Sequence, residues 1–318
     1  MLLSVVLELL PLESKTASGT SGRDTQAWFV KTVAEFDAAM SQVIHPQAGK
    51  GQDLSGQQKR PYTTSGLMLS LKAPDGAKQG EEARRTARTR QKTRGIWKPV
   101  YSGYLFSESQ PVYLRFSSLS DDLGNLLQVK MLPTLKGRTL TILETNFMVN
   151  AVFETAQEHE WAGKTDYARL VRQAQPVNSQ AIDLVFASPT TFRSNKDDIP
   201  VPIPEHIVRS WWLHWNHFAP PEFKIDMDWP RFAADCVRVA SMRNVSTTHW
   251  LFAKGKRGGA TGFHGDVSLV VRKPDPDSDW LEHAIGAGQV LRTLGAYSRY
   301  CGTGRQTTMG MGQTRLEA

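Results

Sequence analysis

The sequence has few cysteines and no long apolar run. Cys236 and Cys301 are its only cysteines, which argues against a disulfide framework and a cysteine-based zinc cluster. The apolar opening MLLSVVLELLP carries Glu8, ends at Pro11 and lacks the positive residues of a signal peptide. No other stretch approaches the length that spans a bilayer. These absences predict a soluble protein of the reducing cytoplasm.

Acidic residues are outnumbered by basic ones. The chain has 38 Lys and Arg against 31 Asp and Glu, a formal net charge of +7 and a pI near 9.4. This balance favours an anionic partner, with nucleic acid ahead of membranes and acidic proteins. A mildly basic enzyme that uses its charge for solubility is the alternative. The length of 318 residues predicts two domains, and an apolar share of 40% predicts folded cores.

Hydrophobic periodicity predicts the same element order in both halves of the chain. Each half has the pattern strand, helix, strand, strand, helix, strand, which is typical of the ferredoxin-like fold. The predicted fold class is α+β, with tandem ferredoxin-like (RRM-like) domains over residues 1–156 and 157–318. Each domain is expected to have a four-stranded antiparallel sheet with helices on one face. Ser21 and Asp24 predict a capping box for the first helix, and RTLTILETNFMVNAVF predicts one long strand.

A basic insert at residues 73–98 interrupts the first half. Seven of the fifteen residues from Arg84 to Lys98 are Arg or Lys, and none is acidic. The insert is either a solvated, disordered segment or a segment that binds RNA phosphates. In the second case Trp97 could stack on an unpaired base. A smaller basic hairpin tip follows in AKGKRGGATG. The predicted RNA-binding cations are Arg84, Arg85, Arg88, Arg90, Lys92, Arg94, Arg193, Lys254, Lys256 and Arg257.

A glycine-rich segment, CGTGRQTTMGMG at residues 301–312, precedes the last predicted strand. Glycines can bring backbone N–H groups close to phosphate oxygens. The segment has no Gly-Lys-Ser/Thr, so it is not a Walker loop, and a strand rather than a helix follows it. A flexible loop is the alternative interpretation. The predicted RNA contacts are Gly302, Gly304, Arg305, Thr307, Thr308, Gly310 and Gly312.

Three motifs, FASPTTFR, GFHGDVSLVV and CGTGRQTTMGMGQTRL, follow one another after residue 180. Together they resemble the CRISPR-associated endoribonuclease family that processes precursor CRISPR RNA, whose C-terminal signature is such a glycine-rich loop. The first half is similar more loosely, through RPYTTSGL. The resemblance implies two ferredoxin-like domains and an RNA cut that needs no metal or cofactor. In that chemistry a ribose 2′-hydroxyl attacks the adjacent phosphate, which gives a cyclic 2′,3′-phosphate and a 5′-hydroxyl.

The resemblance also implies catalytic residues. A histidine at the end of the first helix serves many members, which places general acid or base chemistry on His45, whose imidazole titrates near the working pH. An exposed helix-end histidine is the alternative. Many members have a charge-stabilising lysine before the second strand, a place that Lys59 fits best and Lys50 less well. Some members use a tyrosine on the first helix; none occurs here, and Tyr62 or Ser65 could substitute.

Other functions stay open at this point. A non-catalytic RNA-binding subunit of a CRISPR ribonucleoprotein would use the same fold. A zinc-dependent or DNA-binding protein is a weaker alternative, because His214 and His217 have metal-compatible spacing but need further ligands. The predicted partner is the precursor CRISPR RNA repeat, joined by other subunits of an effector complex. No metal, cofactor, membrane or DNA substrate is predicted.

Overall fold

A computed structural model describes residues 1–45, 59–71, 96–108, 110–174, 181–194, 197–251 and 258–317. The first domain places helices on one face of a sheet. Its elements in chain order are β1 (Leu2–Pro11), α1 (Gly22–Phe36), α2 (Ala38–Ile44), β2 (Tyr62–Leu71), β3 (Ile96–Pro99), β4 (Val112–Ser118), α3 (Asp121–Leu126), β5 (Thr139–Ile142), β6 (Thr145–Phe153) and β7 (Gly163–Thr165). A π-helical segment (Leu127–Met131) and a 3-10 turn (Leu132–Thr134) continue α3.

The first sheet contains the four predicted strands in ferredoxin order. The lateral order is β3-β2-β4-β1-β6-β5, with β7 paired to the start of β1, and every pairing is antiparallel. Strands β2, β4, β1 and β6 form the ferredoxin core. The other three strands extend it, so the sheet has seven strands instead of the expected four.

Alternation along β1 explains how α1 packs on this sheet. Leu3, Val5 and Leu7 share one face of the strand and belong to the core that also buries Phe29 and Val33 of α1, because successive strand residues point to opposite faces. The apolar stripe of α1 does not continue to the end of α2, since Val43 is 63% exposed. The helix breaks at Asp37, which has extended backbone and caps α2 by accepting from Met40 N.

The second domain repeats the arrangement. Its elements in chain order are α4 (Tyr167–Gln173), β8 (Ala181–Thr190), β9 (Phe192–Ser194), β10 (Asp197–Ile199), α5 (Pro204–Phe218), a 3-10 turn (Pro221–Phe223), α6 (Trp229–Cys236), β11 (Val237–Leu251), β12 (Gly259–Val271), α7 (Ala287–Cys301) and β13 (Thr314–Leu316). The sheet order is β11-β12-β8-β13. Trp211 and Trp215 of α5 pack with Leu291 and Tyr297 of α7 in one core. The tandem ferredoxin-like fold is therefore confirmed.

Two local predictions are wrong. Ser21 and Asp24 do not form a capping box: Ser21 Oγ accepts from Leu67 N at 2.5 Å, and Asp24 Oδ2 accepts from Leu143 N at 3.0 Å. The long strand predicted over residues 138–153 is the β5–β6 hairpin. Leu143 and Glu144 turn the chain with φ of 53° and 60°, the left-handed geometry of a tight two-residue turn.

The helix-free faces of the two sheets meet in a small apolar cluster. Val6 and Trp97 of the first sheet pack there with Trp161 and with Ala187 of β8. Trp97 is 6% exposed and its ring lies 5.9 Å from that of Trp161, so the prediction that Trp97 stacks on an RNA base is wrong. Among the described helices, none is long and apolar enough to cross a membrane.

Candidate active site at the domain seam

The glycine-rich loop between α7 and β13 is docked on the first domain. Thr64 N of β2 donates to Thr307 O at 3.1 Å, and Gly310 N donates to Thr64 O at 3.1 Å. Thr64 Oγ1 also donates to Thr308 O at 2.7 Å. The loop therefore lies beside β2 like a short parallel strand, with Ser65 bridged to Gly310. The interpretation of this segment as an unattached flexible loop is wrong.

Close approach and positive φ explain the glycines of this loop. Gly304 and Gly312 have φ of 79° and 67°, and an added Cβ would lie 2.3 Å from Thr191 O and 2.1 Å from Thr303 O, respectively. The sequence suggested that the N–H groups of the four predicted glycines bind phosphates. In the structure each of these N–H groups instead donates within the protein. Their acceptors are Ser298 O for Gly302, Ser210 Oγ for Gly304, Thr64 O for Gly310 and Pro189 O for Gly312.

The polar side chains of the loop have different surroundings. Arg305 forms an ion pair with Asp198 of β10, which holds it within the second domain. Thr307 is 8% exposed. Thr308 accepts a hydrogen bond from Gln26 Nε2 of α1 at 2.9 Å through its Oγ1. Thr308 is thus the predicted loop residue whose side chain joins the first domain.

His45 follows α2 directly and is half-buried. Its Nδ1 is buried and has no hydrogen-bond partner among the described residues. Burial, followed by the positive charge of Arg60, holds the pKa of His45 below its ordinary value of 6.5. The imidazole is therefore neutral at physiological pH and can accept a proton. A fully solvated helix-end histidine would not have this environment.

Arg60, Tyr62 and Gln26 connect His45 to the loop. The Tyr62 ring packs on Phe29, 5.0 Å between centroids, and its hydroxyl accepts from Gln26 Nε2 at 3.2 Å and from the Arg60 side chain. Burial raises the pKa of Tyr62, so the phenol stays protonated. Gln26 and Arg60 were missed by sequence reasoning. A signal for Arg60 existed, because residues two apart along an extended segment share a face.

Lys59 is directed towards the second domain. Its Nζ donates to Leu213 O of α5 at 2.6 Å, and burial lowers its pKa. The next residue, His214, has its Nδ1 2.8 Å from Ser210 O, so this ring nitrogen is paired with the helix backbone. Within the described residues, no three His, Cys, Asp or Glu side chains come together as metal ligands. Arg60 donates to Tyr62 and its charge lowers the pKa of His45, whereas Lys59 binds the neighbouring helix.

The remaining predicted site residues lie either within the described part of the chain or outside it. Arg193 is exposed on β9, and Ser65, the second substitute for the missing tyrosine, is a fully buried residue of β2. Trp250, the penultimate residue of β11, donates to Met309 O of the loop at 3.1 Å, which places the end of β11 beside the loop. The predicted site cations that lie outside the described residues are Lys50, Arg84, Arg85, Arg88, Arg90, Lys92, Arg94, Lys254, Lys256 and Arg257.

One family model matches the second part of the chain. The model of the CRISPR-associated endoribonuclease Cas6 matches residues 184–314, which confirms the resemblance predicted from the C-terminal motifs. No curated protein matches the chain.

Solved structures share the fold over the whole chain. A Thermus thermophilus Cas6, solved as a product complex, has a TM-score of 0.68 at 20% identity and covers 100% of both chains. A Cas6 substrate mimic complex has a TM-score of 0.62 at 20% identity, covering 99% of each chain. A RAMP protein binding different RNA substrates has a TM-score of 0.54 at 11% identity, covering 99% of this chain and 100% of its own.

Proposed function

We propose that this chain is a member of the Cas6 family that cleaves precursor CRISPR RNA within its repeats, without a metal, and so produces mature guide RNAs in the cytoplasm. The observation that carries the proposal is the hydrogen-bond link from the Tyr62 hydroxyl through Gln26 to Thr308 of the glycine-rich loop. Arg60 donates to the same Tyr62 hydroxyl, and its charge lowers the pKa of His45. The RNA would lie across the seam between residues 1–156 and 157–318. The proposal is supported by the relatives solved with a product, a substrate mimic and RNA substrates.

The proposed chemistry gives each side chain a task. Neutral His45 removes the proton from a ribose 2′-hydroxyl, whose oxygen attacks the adjacent phosphorus. The bond from phosphorus to the 5′-oxygen breaks, and that oxygen takes a proton from solvent water to become the 5′-hydroxyl. The protonated His45 then releases its proton to solvent. Arg60 stabilises the negative charge that develops on the phosphorane oxygens. Tyr62 receives hydrogen bonds from Arg60 and Gln26 and orients the guanidinium.

The direct test is cleavage of a labelled repeat RNA in excess EDTA. We expect one defined cut at an unchanged rate, because the nucleophile and the proton carriers need no metal. The upstream product should carry a cyclic 2′,3′-phosphate, seen by mass spectrometry as a species one water lighter than the linear phosphate. An unrelated RNA hairpin of equal length serves as the control. A cut that depends on Mg²⁺ would contradict the proposal, and tight binding without scission would support the non-catalytic RNA-binding subunit.

A second prediction separates Arg60 from Lys59. Arg60→Ala should lower the single-turnover rate constant by about 10²–10³-fold, the usual cost of removing one group that stabilises a developing oxyanion. Lys59→Ala is the matched control, expected to lose less than about tenfold because its ammonium already binds Leu213 O. Both rates would be measured at enzyme concentrations that saturate the RNA. The reverse order would return the charge-stabilising role to Lys59.

A further inference from the structure

A fully buried guanidinium lies in the interior between the two domains. Arg115 of β4 has 0% exposure, and its hydrogen bonds among the described residues all go to neutral groups. Burial, with the nearby charge of Arg299, lowers the pKa of Arg115 to about 9, so it is still charged at neutral pH. Burying a charge without a carboxylate is costly. An apolar residue would fill this position at a lower cost unless the guanidinium has a task.

The contacts of Arg115 join the two domains. Its Nη1 donates to Gln313 Oε1 at 2.5 Å, and its Nε donates to Ser4 Oγ of β1 at 2.8 Å. Gln313 directly follows the glycine-rich loop, and its Nε2 donates to Thr64 O of β2 at 3.2 Å. The guanidinium therefore fastens the C-terminal end of the loop to the first sheet.

Hydrogen bonds continue from this fastening to the candidate site. The carbonyl of Thr64 accepts from both Gln313 Nε2 and Gly310 N, and the Thr64 hydroxyl donates to Thr308 O. Thr308 Oγ1 accepts from Gln26, which also donates to the Tyr62 hydroxyl. A displacement of Gln313 would therefore shift the loop and weaken the hydrogen bonds that position Gln26, Tyr62 and Arg60.

We propose that Arg115 is a positioning residue for RNA cleavage: through Gln313 it fixes the glycine-rich loop on β2 and thereby orients Gln26 and Tyr62. This inference rests on the proposed endoribonuclease function. The task of the loop's glycines is then to allow close docking on the first domain. The competing explanation is that Arg115 contributes only to the stability of the domain seam.

The experiment compares Gln313→Leu and Arg115→Lys with Ser4→Ala, which removes a partner of Arg115 on the side away from the loop. Gln313→Leu should lower the single-turnover rate constant by about tenfold or more at saturation, a modest loss for groups displaced from reacting geometry. Its affinity for a repeat RNA blocked by a 2′-deoxy nucleotide should change less than about threefold. Arg115→Lys should retain more activity than Arg115→Met, and Ser4→Ala should match the wild type.

Hydrogen–deuterium exchange provides a readout that needs no catalysis. Amides of residues 303–313 should exchange faster in Gln313→Leu than in Ser4→Ala or the wild type. Unchanged exchange would overturn the inference whether or not the wild-type protein cuts RNA. Full cleavage per folded molecule with a lowered melting temperature would leave only the stability role. Failure of the wild type to cleave would instead reject the proposed function, and exchange would still decide whether Arg115 fixes the loop. Gln313→Leu decides the matter if Arg115→Met does not fold.

Discussion

A repeat RNA with one 2′-deoxy nucleotide immediately upstream of the cleaved phosphate should bind this protein and stay intact. Removing that hydroxyl removes the nucleophile, and no side chain in the proposed mechanism can replace it. Binding should persist because phosphate contacts do not require the 2′-hydroxyl at one position. Gel analysis under single-turnover conditions, run until the all-RNA substrate is consumed, should detect no product from the substituted RNA.

The position of the deoxy nucleotide supplies the control for this experiment. The same substitution one nucleotide further upstream should leave the cut and its rate nearly unchanged. Scission of the first substrate at the full rate would require a water nucleophile and a different set of catalytic groups. Loss of binding by both RNAs would indicate that the deoxy sugar disturbs recognition, and a competition assay against the all-RNA repeat distinguishes that case.

His45→Ala should slow cleavage by about 10²–10⁴-fold, the range typical of a lost general acid or base. RNA affinity should change little, because a neutral imidazole contributes no charge to phosphate binding. The measurement is a single-turnover time course paired with a binding titration. His283→Ala provides a matched control, since His283 is exposed in the turn that precedes α7, next to Trp280. Equal rates for the two variants would move the proton-transfer role away from His45.

The pH profile of the wild type reports the same group. A general base works in its unprotonated form, so the rate should rise with pH and reach a plateau. Because burial and Arg60 lower the pKa of His45, the midpoint should lie below 6.5. His45→Ala should lose this rise. A rate that falls as the pH passes through that midpoint would make His45 the general acid instead.

Local patterns predicted the framework of the fold well where burial alone decides it. The segments that form β1, β2 and β4 are continuous and rich in residues that favour strands. Helix α5 starts at Pro204, a residue that suits a first helical turn. The hairpin at Leu143 and Glu144 was missed, because two non-glycine residues there adopt positive φ and no glycine or proline marks the turn. The extra strands β3 and β7 are short, and only pairing with β2 and β1 makes them strands.

In the candidate site, too, local sequence indicated some residues, and only the tertiary structure showed which residues they contact. His45 and Tyr62 could be selected from the sequence, because a family resemblance and a strand start mark their positions. Gln26 and Thr308 are separated by 282 residues, and Arg115 and Gln313 by 198. Nothing in the local sequence around these residues indicates their partners.

The sequence by itself determined which segments can be buried, where glycine must stand in the loop, and to which family the C-terminal motifs belong. These properties depend on periodicity, backbone freedom and composition, which are local. Tertiary structure alone decided that the loop docks on the first sheet, that its glycine N–H groups already donate within the protein, and that Lys59 binds Leu213 O of α5. Such outcomes depend on which distant donors and acceptors meet when the two domains pack, because the great majority of buried polar groups are hydrogen-bonded.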